Sequence, residues 1–427
     1  MFKAYVQKRL ESYVKEYFKK HPKVKLVVVA GSVGKTSTKV AIGTILSEHF
    51  RIRLHEGNHN DVLSAPLAIL GVEYPKNIRN IIEWLAAFRA ARKRIDAPTD
   101  VDVIIQELGS DRIGQVPHFG TYLSPDIGVV TAVSSEHMEF FKTIDNVAAE
   151  ELSAANFSKL ALINKDDIDG QYAKYLTNAN IDTYGTSASA EYHFIGMDYT
   201  PKDGHVGMFY APEFSDPMPA TIQLLGEHTL RPVIAAMAVG VKLGMNTSEL
   251  ERGIKKVYSL PGRMNKLRGV NNTTIIDDTY NSSPLAAESS LRVLYQLLVP
   301  QRIAVLGDMN ELGDTSVAEH EELGKFCDPN QLSWVVTVGS LSEKYLAPAA
   351  RAKGCQVKSF ENAILAGAFV RDVAEKGAVI LFKGSQGGIY LEEAVKTMLH
   401  SSDDELKLVR QSSKWMKVKN KFFTQNS

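Results

Sequence analysis

The residues Gly31-Ser32-Val33-Gly34-Lys35-Thr36-Ser37 follow the apolar run 26–30 and open a stretch with Ile42, Ile45, Leu46 and Phe50 on one helical face. Glycines at a strand-to-helix turn let successive backbone N–H groups converge on phosphate oxygens, and the helix that follows presents its positive end to them. In that setting Lys35 neutralises the β and γ phosphates of a nucleotide, and the Thr36 hydroxyl joins a Mg²⁺ shell. The full phosphate-loop pattern has glycine five residues before Gly34, where this chain has Val29, so the motif is a shorter G-x-x-G-K-T variant. An incidental Gly-Lys-Thr in a glycine-rich turn is the competing reading, and the flanking strand and helix weigh against it.

Two further residues fall where the same chemistry needs them, because ligands of a parallel sheet collect at the carboxyl ends of its strands. Glu107 closes the strand expected over 103–107, and His137 follows the strand expected over 127–133 by a short loop. Mg²⁺ prefers oxygen, so Glu107 suits it directly or through water, whereas His137 suits a second, Mn²⁺-tolerant site or a hydrogen-bonding role.

These positions require a frame that brings strand ends together. From residue 24 onward short apolar runs alternate with amphipathic stretches, the pattern of a parallel sheet covered by helices on both faces. Strands are expected over 26–30, 103–107, 127–133 and 160–164, followed by a β-rich, Gly- and Pro-punctuated hairpin region over 190–225. Helices are expected over 232–243 and from residue 248, and Leu260-Pro261-Gly262 reads as a hinge. A second alternating unit then places strands at 274–277, 303–306, 334–338 and 379–382, with helices at 285–298, 320–326 and 364–376.

Composition bounds the rest. The chain has 427 residues, of which 44% are apolar and 23% charged, which excludes disorder, collagen and coiled coil and fits two or three domains. Forty-nine basic and forty-nine acidic residues cancel, so no whole-chain field draws it to nucleic acid or to an anionic membrane. With two cysteines, Cys327 and Cys355, a disulfide framework is not expected and the cytoplasm is the expected compartment. No segment offers the roughly 20 apolar residues of a membrane span. Both ends are basic: residues 1–25 carry eight Lys/Arg against Glu11 and Glu16, and residues 406–427 carry six against none. Phe2, Val6, Leu10, Tyr13, Val14, Tyr17 and Phe18 recur at helical spacing, a stripe expected to dock on its own domain, with weak membrane-surface or partner contact through the basic ends as the other use. The tail, with Trp415, Phe422 and Phe423 among its lysines, reads as a helix with a frayed end.

Beyond these local readings, the chain resembles the Mur ligases, ATP-dependent enzymes that join a carboxylate to an amino group. The resemblance is carried by Gly31 to Ser37, Gly57-Asn58-His59-Asn60, Glu107-Leu108-Gly109, His137-Met138-Glu139, Leu162-Ile163-Asn164 with Asp166 and Asp167, and Gly226-Glu227-His228. It continues through Leu260-Pro261-Gly262-Arg263, Asp277-Asp278-Thr279-Tyr280-Asn281, Gly307-Asp308-Met309 with Glu311-Leu312-Gly313, and Lys383-Gly384-Ser385. The Asp-Asp-Thr-Tyr-Asn and Gly-Asp-Met pieces are most similar to the subfamily that adds D-alanyl-D-alanine to UDP-N-acetylmuramoyl-tripeptide.

The resemblance implies an α/β chain: a P-loop central ATPase domain with a parallel sheet, and a smaller Rossmann-like C-terminal domain. Its organisation would be an amphipathic helix over 1–25, an ATP-binding domain over 26–262, a C-terminal domain over 263–405 and a basic tail over 406–427. It implies binding of ATP by Gly31, Ser32, Val33, Gly34, Lys35, Thr36 and Ser37, with Arg263 reaching the phosphates and Asp278 holding the ribose. Lys35, Glu107 and His137 would be the catalytic groups, Thr36 and Glu107 would serve Mg²⁺, and His137 a second metal. Asn58, Asn281, Lys383 and Ser385 would contact the small-molecule substrates, an acid and an amino acid or dipeptide.

Four features depart from the family pattern. The phosphate loop begins about 30 residues in, without the domain that grips the UDP end of the nucleotide sugar in cell-wall members. Glu151 stands near the position of a carbamylated lysine, so a glutamate would supply the metal-side carboxylate directly. Thr229 and Pro232 stand where many relatives place adenine-reading asparagines, and Gln386 follows Ser385 where an arginine is common. The expected function is an amide ligase working through an acyl phosphate, most like the D-alanyl-D-alanine-adding enzymes. The alternatives are a similar ligase for an acid without UDP, such as one extending a peptide or glutamate tail, and a nucleotide-binding interaction module without turnover.

Overall fold

The structure, a computed structural model, describes every residue except 1, 56, 58, 201–203, 426 and 427. The expected substrate contact at Asn58 therefore lies outside the described residues. The chain divides into two units, one of Met1–Ser134, Phe140–Leu224 and Thr229–Val257, the other of Ser135–Glu139, Leu225–His228 and Tyr258–Ser427.

Among the described residues of the first unit, nine strands form one sheet. They are β1 (Lys25–Ala30), β2 (Ile52–Leu54), β3 (Val103–Glu107), β4 (Ile127–Val130), β5 (Leu160–Asn164), β6 (Ile181–Gly185), β7 (Tyr192–Thr200), β8 (Gly204–Tyr210) and β9 (Met218–Ile222), in the order β2-β3-β1-β4-β5-β6-β7-β8-β9. Pairing is parallel from β2 to β7. It turns antiparallel through β7, β8 and β9, the hairpin region expected from the aromatic and glycine-rich stretch.

The uninterrupted apolar run of β1 follows from burial on both faces. Val27 and Val29 join Ala41, Ile42 and Ile45 on one side, whereas Leu26, Val28 and Ala30 join Val6, Leu10, Val14 and Tyr17 on the other. The latter four are the inner stripe of the helix Phe2–Lys20, so its apolar face docks on its own unit. At about 1.5–3 kcal/mol for each fully buried large side chain, that stripe is a substantial anchor. β4 ends at Val130 rather than at Val133 because Thr131 turns inward and donates its hydroxyl to Val33 O (2.6 Å) and Ala30 O (3.1 Å).

The second unit holds a six-stranded sheet among its described residues: β10 (Asn265–Arg268), β11 (Thr274–Asp278), β12 (Arg302–Gly307), β13 (Trp334–Val338), β14 (Val357–Phe360) and β15 (Val379–Lys383), ordered β10-β11-β15-β12-β13-β14. Only β10 pairs antiparallel with its neighbour. Ile275, Ile303, Val305, Val336, Ile380 and Phe382 pack beneath the helices Ala363–Val373 and Glu392–Met398. The helix expected over 285–298 runs Pro284–Gln296: proline at its start needs no N–H partner, and Pro300 biases its predecessor away from helix. No helix among the described residues is long and apolar enough to cross a membrane.

Candidate functional site

In the first unit the glycine bend between β1 and the helix Lys35–Leu46 is built from backbone that only glycine tolerates easily. Gly31 has φ 126° and Gly34, the N-cap, φ 88°. A Cβ on Gly31 would run into Thr131 Oγ1 and would lie 2.8 Å from Ala132 N, so the loop is closed from behind by the residues after β4. Ser32 N–H donates to Ala132 O (3.0 Å), and the Ser32 and Ser134 hydroxyls meet at 2.9 Å. Lys35 lies along the bend, its ammonium donating to Gly31 O and to Ser32 O (3.2 Å).

Thr36 Oγ1 donates to Glu107 Oε2 at 3.0 Å, so a residue from the start of the helix and one from the end of β3 meet as the sequence pattern implied. Glu107 is buried and further held by Asn60 Nδ2 (3.1 Å) and by the ammonium of Lys39 (3.6 Å). Lys39 is itself buried and donates to the carbonyls of His55 (3.2 Å) and Gly57 (3.1 Å). A hydroxyl and a carboxylate beside a phosphate loop are a hard-oxygen donor pair that fits Mg²⁺, an ion that keeps several waters and takes one or two protein ligands plus phosphate. Among the described residues no three His, Cys, Asp or Glu side chains come together as a metal-holding group.

Glu151 is 2% exposed in the helix Ile144–Asn156, and its Oε2 accepts the Gly31 N–H at 2.6 Å. Its neighbour Glu150, equally buried, accepts from Ser110 Oγ (2.9 Å), Gly114 N (2.7 Å) and Val116 N (2.7 Å) and so shapes the loop after β3. His137 groups with the second unit, where its Nδ1 lies 2.7 Å from Glu311 Oε2. Both residues have left-handed backbone, φ 50° and 66°. The hydrogen bond from His137 holds the Glu311 carboxyl below its ordinary value against the opposing effect of burial.

The second unit gathers Asp277, Asp278, Thr279, Tyr280 and Lys383 around the end of β11. Asp278 Oδ2 lies 2.7 Å from Lys383 Nζ and accepts from Ser290 Oγ (2.7 Å), while Oδ1 accepts the Met264 N–H (3.1 Å). Burial works to raise the Asp278 carboxyl, but Lys383 and Ser290 bring it below its ordinary value. Asp277, fully buried, is pushed up to about 6 by desolvation, against the hydrogen bonds it accepts from Thr279 and from Gly262 N–H. Lys383 ends its strand buried, not on the surface, and donates also to Asn281 O (2.9 Å). Ser385 accepts from Asn310 N–H (2.9 Å), and Gln386 is exposed. Arg263 lies with its Cζ 4.1 Å from the centre of the Tyr280 ring.

Several positioning groups escaped the sequence reading. Thr131, Lys39 and Asn60 hold the phosphate loop and Glu107, and buried His320 accepts the Met309 N–H at Nε2 (3.0 Å) with Nδ1 against Ser316 O (2.6 Å). Arg231 lies between Asp166 (3.1 Å) and Asp167 (3.2 Å) near Thr229. Of these, only Asn60 carried a signal, as the end of the Gly57-Asn58-His59-Asn60 stretch that takes part in the family resemblance.

Comparison with known proteins adds the family. Residues 29–240 match the Mur ligase middle domain, and residues 262–386 match the Mur ligase, glutamate ligase domain. The UDP-N-acetylmuramoyl-tripeptide--D-alanyl-D-alanine ligase of Bacillus subtilis (strain 168) is 24% identical over 392 residues, 88% of this chain and 76% of that protein. Among solved structures, MurF from Acinetobacter baumannii superposes with a TM-score of 0.75 at 21% identity, covering 90% of this chain and 79% of that one. MurF ligase from Thermotoga maritima in complex with ADP gives 0.73 at 22% identity, covering 92% and 83%.

Proposed function

The chain belongs to the Mur ligase family of ATP-dependent ligases, and from that premise we propose that it adds D-alanyl-D-alanine to UDP-N-acetylmuramoyl-tripeptide in peptidoglycan precursor synthesis. The observation that carries the reading is the Thr36–Glu107 contact beside the Gly31–Gly34 bend, a cation-binding pair placed against an anion-binding loop. The cytoplasm, where nucleotide-activated precursors and ATP are found, is the compartment this activity needs.

The chemistry requires two anions to meet. A carboxylate oxygen of the acid attacks the γ phosphorus of ATP, the bond to ADP breaks, and an acyl phosphate forms. The amine then adds its lone pair to the acyl carbon and loses a proton, and the tetrahedral adduct collapses with expulsion of phosphate. Loop N–H groups bind the polyphosphate, and Lys35, turning from the carbonyls of Gly31 and Ser32 onto phosphate oxygens, offsets the charge that builds as the reactants approach. Thr36 and Glu107 would hold Mg²⁺, which when bound would supply Lewis-acid screening of the same charge. We assign Glu151 to fixing Gly31 through its N–H, and His137 to the pairing with Glu311. In the second unit Arg263 and Asp278 are assigned to the nucleotide, and Asn281, Lys383 and Ser385 to the incoming dipeptide, Lys383 acting as one unit with Asp278.

Incubation with ATP, Mg²⁺, UDP-N-acetylmuramoyl-tripeptide and D-alanyl-D-alanine tests this directly. Phosphate release should require all four components and match amide formation one for one. Release indifferent to acid and dipeptide overturns the ligase assignment, and amide formation only with an acid lacking UDP replaces the substrate while keeping the chemistry.

A further inference from the structure

The residues after 386 lie beyond the matched family domains, yet they reach back to the loop that carries Thr279 and Tyr280. Arg410 forms a fork on Glu392, Nε to Oε1 at 2.8 Å and Nη2 to Oε2 at 2.7 Å. Its remaining donors go to two consecutive carbonyls, Nη2 to Thr279 O at 2.6 Å and Nη1 to Tyr280 O at 3.0 Å. The Arg410 side chain is 5% exposed and that of Glu392 0%. Lys419, from the helix Ser413–Gln425, also enters this cluster, 3.4 Å from Glu392 and in contact with Glu393. The Arg410 backbone is itself left-handed, φ 55°, an unfavourable conformation for a side-chain-bearing residue that its surroundings must hold in place.

The other edge of the same peptide is held too. Tyr280 N–H donates to Gly262 O (3.0 Å), and Gly262 is a close-approach position: a Cβ there would lie 2.8 Å from Val409 Cγ1 and 2.9 Å from Tyr280 N. The Tyr280 backbone is thereby held on two sides, and the ring it carries faces the Arg263 guanidinium at 4.1 Å. Arginine on an aromatic face gains attraction and loses rotamer freedom in advance of binding.

A buried ion cluster is poor value for stability alone, since apolar residues of like volume often serve as well, and its best-attested use is to select one geometry. We propose that Arg410 is a positioning residue of the nucleotide machinery, acting through the Thr279–Tyr280 carbonyls and the Tyr280 ring to hold Arg263 ready for phosphate. The inference rests on the assignment of Arg263 to ATP made above. It makes the C-terminal arm a working part of the second unit.

The test is a cycle read by Mg²⁺-ATP affinity, with a fluorescent ATP analogue, and by kcat/KM for ATP. Arg410→Lys keeps the charge and loses the fork, and it should weaken both by about 10-fold or more, as Arg263→Ala also should. The double variant should fall no more than about 3-fold below Arg263→Ala alone, because the two act through one group. Multiplying losses, or an Arg410→Lys protein within about 2-fold of the parent, overturn the proposal. Should Arg410→Lys fail to fold, Tyr280→Leu decides with the Arg410–Glu392 fork intact: it should reproduce the loss, and a silent Tyr280→Leu sinks the idea. Lys407→Ala, exposed and paired with Asp404, is the control expected to match the parent. A parent that binds ATP but ligates nothing would fault the substrate reading and leave this cycle measurable by affinity.

Discussion

The two units hold their chemistry-bearing loops by opposite means. In the first, the bend at Gly31–Gly34 is fixed by neutral or singly charged contacts, with Thr131 behind it, the Glu151 carboxylate on one N–H and Lys35 resting on carbonyls. In the second, the Asp277–Tyr280 loop is fixed by charge against charge, Asp278 with Lys383 and Glu392 with Arg410. The first arrangement leaves a cation resting on carbonyl oxygens that phosphate oxygens can replace, which is what a binding loop must do. The second neutralises itself and buys rigidity, so its contribution to binding passes through the groups it positions.

The sharpest way to break the contrast is Gly31→Ala. With φ 126° and Thr131 Oγ1 in the way, the bend cannot keep its shape, and turnover should fall by about 10³-fold or more while the far-ultraviolet circular dichroism persists. Normal activity in that variant would show that the bend does not bind phosphate. Next in size is Glu392→Ala, which strands Arg410 as a buried cation without a carboxylate while Lys419 keeps Glu393. It should cost about 3–5 kcal/mol in a denaturation experiment, and an unchanged midpoint would contradict the charge-against-charge reading.

Glu151→Ala is milder, because it orphans one buried N–H at a cost of about 1–3 kcal/mol, and it should raise KM for ATP. Glu151→Gln keeps an acceptor for Gly31 and should recover most of that loss. If Gln behaves like Ala, and added Mg²⁺ rescues both, the carboxylate is acting on the metal instead.

The smallest effect concerns pH. Asp277 titrates near 6 in the folded protein against an ordinary value of 3.8, so the folded state binds the proton more tightly. Its contribution to stability is therefore fully present below about pH 3.8 and lost as pH rises through about 6. The melting temperature of the parent relative to Asp277→Asn should drop between pH 4 and pH 7, and a gap that widens over that range would reverse the sign of the argument.

The same contrast explains what could be read from the chain alone. Gly31 to Thr36 are contiguous and sit between a buried strand and a helix, and Glu107 closes another strand, so periodicity and a short motif expose both the fold and the first unit's site. Lys39, Asn60 and Thr131 lie 3, 24 and 95 residues after Thr36 and join that site only through the fold. Arg410 stands between Val409 and Gln411 in an irregular segment, and nothing local marks it as the partner of carbonyls more than a hundred residues earlier. Lys383 reads from the sequence as a substrate contact, and its pairing with Asp278 is not legible there because the two meet only through the β11–β15 pairing. The strand limit slipped at Thr131, where an inward-turned hydroxyl ends the run of β4 early.

The central claim is that the bend opening the helix Lys35–Leu46 carries a nucleotide's polyphosphate with a divalent ion on Thr36 and Glu107. Calorimetric titration of Mg²⁺-ATP into the parent and into Lys35→Ala tests it most directly. The account predicts saturable binding by the parent and a loss of about 10²-fold or more in the variant; equal affinities, or a parent that does not bind, would contradict it.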